Sequence, residues 1–266
     1  MMRGNRAESW QETGKWVIMF HVKPQGHTDD LGALSAAAVA EALGDVGVTV
    51  SGEQAEALGL HARMVVEANT HFNLTRISQP SDVLIFHIVD SALALHALQG
   101  SPVGAFADLG SGPGYPGVVL AVLSGRPAVL VESVKKKAGF LTEVALRLDS
   151  DIEVVAERAE QLAVARPSGF VAVVARAVSS LPALVELAAP LLALNGRLVA
   201  MKGRPETSEL VAGRRASELC GMTEVAVVSL ALGPLHARTL VVYEKRSQPK
   251  ILLPRHVGLA QRSPLA

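Results

Sequence analysis

The residues best placed to do chemistry lie in FADLGSGPGYPGVVLAVL, positions 106–123. An acid, Asp108, stands near the end of an apolar run, and glycines follow at 110, 112, 114 and 117 before a helix-forming stretch. Glycine takes positive φ at no steric cost. It therefore lets backbone approach a ligand closely at the mouth of a sheet, where open α/β folds hold nucleotides. Gly112, Gly114 and Gly117 satisfy the GxGxxG spacing of a dinucleotide loop, a weak signal by itself. A carboxylate at Asp108 would repel a pyrophosphate and favour an ammonium group. Pro116 removes one N–H donor where the helix begins. S-adenosylmethionine (SAM) carries an ammonium group and no phosphate, so it fits this loop better, with a dinucleotide as the alternative.

A second acid, Glu132, ends the run AVLVES, 24 residues after Asp108. An acid at the end of a second strand accepts hydrogen bonds from ribose hydroxyls, a role common to SAM and dinucleotide sites. A solvated helix cap is the other reading of Glu132. Arg158-Ala159-Glu160 follows a third strand. It could offer a backbone amide and a carboxylate to an adenine edge, or Glu160 could simply be a first-turn acid favoured by the helix dipole. Arg176, flanked by apolar strand residues, is costly to bury without a partner. The one thiol, Cys220, reads as a small buried hydrophobe. A single Cys excludes an internal disulfide and a tetrahedral thiolate zinc site, and no metal is expected.

Elements must hold these residues in place. Helical patterning covers 31–43, a second helix opens at Ser51 with Gln54 three positions on as a capping box, and a third spans about 81–98. From 103 onward short apolar strands alternate with amphipathic helices: strands at 103–109, 128–132, 152–156, 170–175 and 197–201, then two near 223–230 and 238–244. Only GPLHA separates the last two, so the final strand must be antiparallel. The expected fold is α/β, a seven-stranded Rossmann-like SAM-dependent methyltransferase sheet with an N-terminal helical subdomain. The expected organisation is a disordered leader over 1–30, the helical subdomain over 31–100, the SAM-binding domain over 101–246 and a basic tail over 247–266. Met19 is a second candidate start.

The chain has 266 residues, 25 Lys+Arg against 25 Asp+Glu and 49% hydrophobic residues, a globular composition. The first 20 residues carry Arg3, Arg6, Glu8, Glu12 and Lys15 and so lack the apolar core of a signal peptide. The uncharged stretch 109–125 holds five Gly and two Pro and suits no membrane span. A cytoplasmic protein is expected. The balanced charge hides an asymmetry: Lys245 to Ala266 contains five cations and no acid. Together with Lys135, Lys136 and Lys137 at a helix start and Lys202 and Arg204 after a strand, the tail could meet a polyanion. Solvated surface is the alternative for the lysine trio and for the tail.

With these residues in view the chain resembles the ribosomal RNA small subunit methyltransferase G family, once called glucose-inhibited division protein B. The resemblance rests on DLGSGPGYPG (108–117), ESVKKKAGFL (132–141), ERAEQL (157–162), VVARAVSSLPALVELAAPLL (173–192) and GRLVAMKGR (196–204). It extends to NLT (73–75), HIVDS (87–91) and PRHVGLAQRSPL (254–265). It implies SAM-dependent methylation of guanine N7 in 16S rRNA, free or within the small subunit, by a protein expected to be a monomer. It further implies cofactor contacts from Gly110, Tyr115, Glu132, Ala159, Glu160 and Arg176. RNA contacts are expected from Lys135, Lys136, Lys202, Arg204, Arg255 and Arg262.

That chemistry needs little apparatus. Guanine N7 has a free lone pair and no proton, so no general base must act before attack, and rate comes from collinear positioning. No catalytic dyad is expected. Amino-group methylators carry an Asn/Asp-Pro-Pro-aromatic loop after strand four, where this chain has Ala-Arg-Ala-Val-Ser-Ser; cytosine C5 methylation needs a thiolate. The chain departs from the family at Glu67-Ala68, where Lys-Trp is usual, at Phe86, where Arg is common, and at His256 and Ala260 in the tail. These changes bear on RNA contact more than on the cofactor. The other functions weighed are a nucleotide-dependent oxidoreductase and a non-catalytic RNA-binding assembly factor.

Overall fold

A computed structural model describes residues 8–12, 15–20, 31–232 and 236–266. Its strands are β1 (Glu8–Glu12), β2 (Lys15–Phe20), β3 (Phe106–Leu109), β4 (Ala128–Val131), β5 (Ile152–Val155), β6 (Phe170–Arg176), β7 (Leu192–Lys202), β8 (Met222–Leu232) and β9 (His236–Lys245). They form one sheet in the order β1-β2-β8-β9-β7-β6-β3-β4-β5. From β3 to β7 neighbouring strands are parallel, and β9 runs antiparallel to both β7 and β8. Strands β3 to β9 are the expected seven. Strand order reverses at β3, the topological switch point where such sheets bind ligands.

Two strands extend this sheet. The leader expected to be disordered contains β1 and β2, which pair antiparallel with each other, and β2 pairs in parallel with β8. KWVIMF at 15–20 is rich in strand-forming residues, and the free edge of β8 gives it a partner. WVIMF is a continuous apolar run without the period-two alternation that marks a half-buried strand. The rest of the leader, and residues 233–235 of the expected hairpin turn, lie outside the described residues.

The helices are α1 (Ala36–Asp45), α2 (Gly52–His71), α3 (Pro80–Gln99), α4 (Gly117–Ser124), α5 (Lys135–Leu148), α6 (Ala159–Ala165), α7 (Leu181–Ala188), α8 (Thr207–Leu219) and α9 (Leu259–Arg262). The capping box of α2 is present: the Gln54 N–H donates to Ser51 Oγ and the Ser51 N–H to Gln54 Oε1. Helix α3 is long and apolar enough to cross a membrane, yet 67% of its apolar window is buried inside the protein, which makes it a core helix. Its Leu84–Val89 portion is π-helical.

Alternation along the strands divides the core between two faces. Phe106, Leu130, Ala172, Val174 and Met201 pack with α1 to α5, whereas Ala107, Leu109, Val173, Ala175 and Leu198 pack with α6, α7 and α8. The helical N-terminal segment thus shares one core with the sheet. The tail is docked on the opposite face. The Lys250 N–H donates to Leu219 O, the Arg255 guanidinium pairs with Glu186, and Ala260 is buried.

Candidate functional site

The glycine loop leaves β3 at Gly110. Gly110, Gly112 and Gly114 all have positive φ (67°, 56° and 102°), as their residue type predicts. Each backbone N–H of the loop has a partner within the protein. Those of Gly110 and Ser111 donate to Val131 O, those of Gly114 and Tyr115 to Ser111 O, that of Gly112 to Glu132 Oε2 (3.0 Å) and that of Gly117 to Asp108 Oδ2 (2.9 Å). Pro113 and Pro116 have no N–H. No loop donor remains for a pyrophosphate, whereas acceptors with spare lone pairs do. That chemistry suits a ligand presenting hydroxyl and ammonium donors.

Glu132, expected at the cofactor ribose, follows β4 and is only 7% exposed. Its Oε1 accepts from the Val134 N–H at 2.8 Å and its Oε2 from Gly112. Each oxygen keeps capacity for a ribose hydroxyl. Asp108 behaves differently from the expectation that it would face the ligand's ammonium. Its side chain is fully buried, and the bond to Gly117 clamps the loop to the start of α4. Burial pushes its carboxyl up to about 7, against the opposing effect of its hydrogen bonds, and Oδ1 is buried with no partner. Gly117 admits no other residue, since a Cβ there would overlap the Leu130 and Asp108 side chains.

Tyr115, the next residue expected at the cofactor, is buried against two histidines. The His61 ring from α2 lies 4.6 Å from its centroid, and the His87 ring from α3 stacks on it at 4.5 Å. The Arg176 guanidinium lies 5.7 Å from the same ring. At the end of β6, Arg176 donates to Phe86 O (3.0 Å), Asp90 Oδ2 (2.7 Å) and His87 Nδ1 (3.0 Å). A guanidinium can only donate, so toward Arg176 the His87 Nδ1 accepts; the same Nδ1 lies 3.2 Å from Phe86 O, and Nε2 faces Thr75 Oγ1 at 3.0 Å. Burial and the Arg176 charge lower His87 to about 3. Arg238 of β9 adds two bonds of 2.7 Å to the buried Asp90 carboxylate.

The burial of Arg176 is thus met by protein partners, and His87 and Asp90 of the HIVDS motif are joined through it. Sequence reasoning missed His61 and Arg238. The available signals were an Arg inside the apolar strand ARTLVVY and a His on the buried face of α2 with Leu58, Ala62 and Val65.

The family model for rRNA small subunit methyltransferase G matches residues 54–240. The chain belongs to this family. The Ribosomal RNA small subunit methyltransferase G of Desulfitobacterium hafniense is 33% identical over 225 residues, covering 82% of this chain and 92% of that protein. The protein of the same name from Chloroflexus aggregans is 36% identical over 201 residues, 74% of this chain and 84% of its own length.

For this member of the methyltransferase G family, the remaining expected contacts divide. The first intrahelical bonds of α6 come from Gln161 and Leu162, so the Ala159 and Glu160 amides belong to the open first turn. Glu160, however, is buried, and its Oε1 accepts from the Gly258 N–H of the tail at 2.7 Å. Two of the residues expected to contact RNA have acidic partners within the protein. Arg255 forms a two-pronged ion pair with Glu186 and donates to Ser263 O. Lys202 Nζ bonds Ser179 O and pairs with Glu209 at 2.8 Å. Charge along the sequence cannot show which cations are neutralised by acids from distant segments.

Lys135, Lys136, Arg204 and Arg262 are exposed. Lys136 Nζ lies 4.3 Å from the centroid of the Phe72 ring. Both line a groove of about 1190 Å³ between α2 and α5, which also takes in Glu67 and Ala68, where the chain departs from the family. Among the described residues no group of three or more metal-ligating side chains comes together.

Proposed function

We propose that this protein transfers a methyl group from SAM to N7 of a guanine in small-subunit ribosomal RNA, acting on the 16S RNA free or in the subunit. The observation that carries the cofactor is the fully engaged set of loop N–H groups beside the partly free Glu132 acceptors. SAM suits that set, supplying an electrophilic methyl on a sulfonium when bound. Gly110 and Tyr115 would flank its amino-acid end, Glu132 would hold its ribose, and the Ala159 and Glu160 amides would meet its adenine edge. Arg176 would border the pocket from behind Tyr115.

The chain's own part in catalysis is positioning. The clamped glycine loop fixes one end of the donor and Glu132 fixes the other, so the reacting line is set before the base arrives. With no proton on N7, no side chain has to act as base. Exposed Lys135, Lys136, Arg204 and Arg262 would take RNA phosphates.

Titration calorimetry with SAM and with NAD separates the cofactor readings. Binding of SAM without NAD supports this proposal, and the reverse result overturns it in favour of a nucleotide-dependent oxidoreductase.

A further inference from the structure

We propose that His61 is a positioning residue for the cofactor loop, by which helix α2, outside the nucleotide-binding sheet, holds the loop in its binding-competent shape. His61 is fully buried, and its Nε2 lies 2.8 Å from Pro113 O, in the middle of the loop. A carbonyl can only accept, so the ring carries its proton on Nε2 and donates it there, and burial keeps the imidazole neutral down to about pH 4. Its Nδ1 is buried with no partner. The ring is thus held by one polar contact and by its tilted packing, 36° off parallel, against Tyr115.

The loop is shaped around this contact. Gly114 sits at φ 102°, and a Cβ on it would come 2.8 Å from His61 Nε2 and 2.8 Å from Val118 Cγ2. Only glycine gives both the backbone angle and the space for the imidazole. His87 also stacks on Tyr115, itself fixed by Thr75 and Arg176. Tyr115 is consequently gripped by two rings carried on two helices of the N-terminal segment. The loop's own hydrogen bonds fix its base on β4 and its end on α4. Within the Pro113–Tyr115 crest the Gly114 and Tyr115 N–H groups turn back onto Ser111 O, and the Pro113 carbonyl is held from outside by His61.

The consequence concerns the fraction of molecules whose loop is ready. If losing the Nε2 bond leaves one molecule in ten with the competent loop, the apparent Kd for SAM rises about tenfold, with little effect on turnover once the cofactor is saturating. This rests on SAM being the cofactor, so SAM binding by the wild-type protein is the first arm of the test. His61→Phe keeps the ring on Tyr115 but removes the donor. His61→Gln keeps an amide N–H able to reach Pro113 O but removes the ring.

Calorimetric Kd for SAM, kcat at saturating SAM, KM for RNA and the melting temperature are measured for both variants. The expected result is a Kd about tenfold weaker for His61→Phe, a Kd within about threefold of wild type for His61→Gln, and KM for RNA unchanged in both. Equal SAM affinity in wild type and His61→Phe, whatever the melting temperature, overturns the positioning role. So does a loss of affinity in His61→Gln as large as in His61→Phe, which would mark a packing effect. A wild-type protein that binds no SAM overturns the cofactor reading, and this role falls with it.

Discussion

Asp108 and Glu132 stand 24 residues apart in the sequence and read alike there, as acids ending adjacent strands, yet the fold gives them opposite tasks. Glu132 takes the Gly112 and Val134 amides on its two oxygens, while Asp108 is fully buried behind the loop with its carboxyl raised to about 7. In the unfolded chain that carboxyl titrates near 3.8, so between about pH 4 and pH 7 the folded state holds a proton that the unfolded state has released. Its contribution to stability must fall as pH rises through this window, by up to about 1.4 kcal/mol per pH unit, and level off above the folded value. His61 and His87, lowered to about 4 and about 3, act in the opposite sense as pH falls below 6.5. Comparing wild type with Asp108→Asn by urea unfolding from pH 4 to 8 cancels the histidines. The variant should gain on wild type as pH rises to 7 and hold that gain above it.

Glu132→Ala removes the acceptor for the Gly112 and Val134 amides as well as for the ribose. Calorimetry should show SAM affinity at least about tenfold weaker, with Glu132→Gln between the two because its amide oxygen still accepts. Glu132 was legible as a candidate because strand, acid and helix start follow one another in the chain. His61 and Arg238 escaped notice because their partners lie 52 and 148 residues away, and no window of sequence contains both halves of such a contact.

Among the elements, the turn from β3 into α4 is the least tolerant of change. Gly117→Ala would drive a methyl into the Leu130 side chain and the Asp108 carboxyl, and the start of α4 cannot shift without breaking the Gly117–Asp108 bond. A loss of about 2–3 kcal/mol in unfolding free energy, together with loss of SAM binding, is expected by denaturant titration and calorimetry. The tail is a second element with a defined seat. Arg255→Ala leaves the buried Glu186 carboxylate without its guanidinium and should free the segment after Ile251. Limited proteolysis should then remove the tail faster, and a lower melting temperature should accompany it. The β/α alternation and the antiparallel last strand were plain in the sequence, because each strand's apolar run and each helix's period are local. The β1–β2 extension was not, since five or six residues carry too little period to distinguish a strand from an irregular segment.

In the molecule as a whole, the surface charge is what the sequence represented least well. Net charge counted the tail as a basic arm, but the fold commits Lys245 to the carbonyls of Ala189 and Leu192 and Arg255 to Glu186. Of the cations proposed to meet RNA, Lys135, Lys136, Arg204 and Arg262, on separate elements, are exposed. Removing a cation that meets a phosphate should flatten the slope of log Kd for RNA against log salt by about 0.7–0.9. Lys136→Ala and Arg204→Ala should therefore reduce the slope while leaving SAM affinity unchanged, and Lys202→Ala, whose cation is already paired, should not.

Methyl transfer to one ring nitrogen of one kind of base is the activity on which the roles of loop, acid and cations all rest. Small-subunit ribosomal RNA is incubated with this protein and SAM bearing a labelled methyl, then digested in one portion to nucleosides and in another to oligonucleotides, and both are resolved by mass spectrometry. The label should appear as N7-methylguanosine and in a single oligonucleotide. Label on another base or atom, or none from protein shown to bind SAM, would refute the proposed activity.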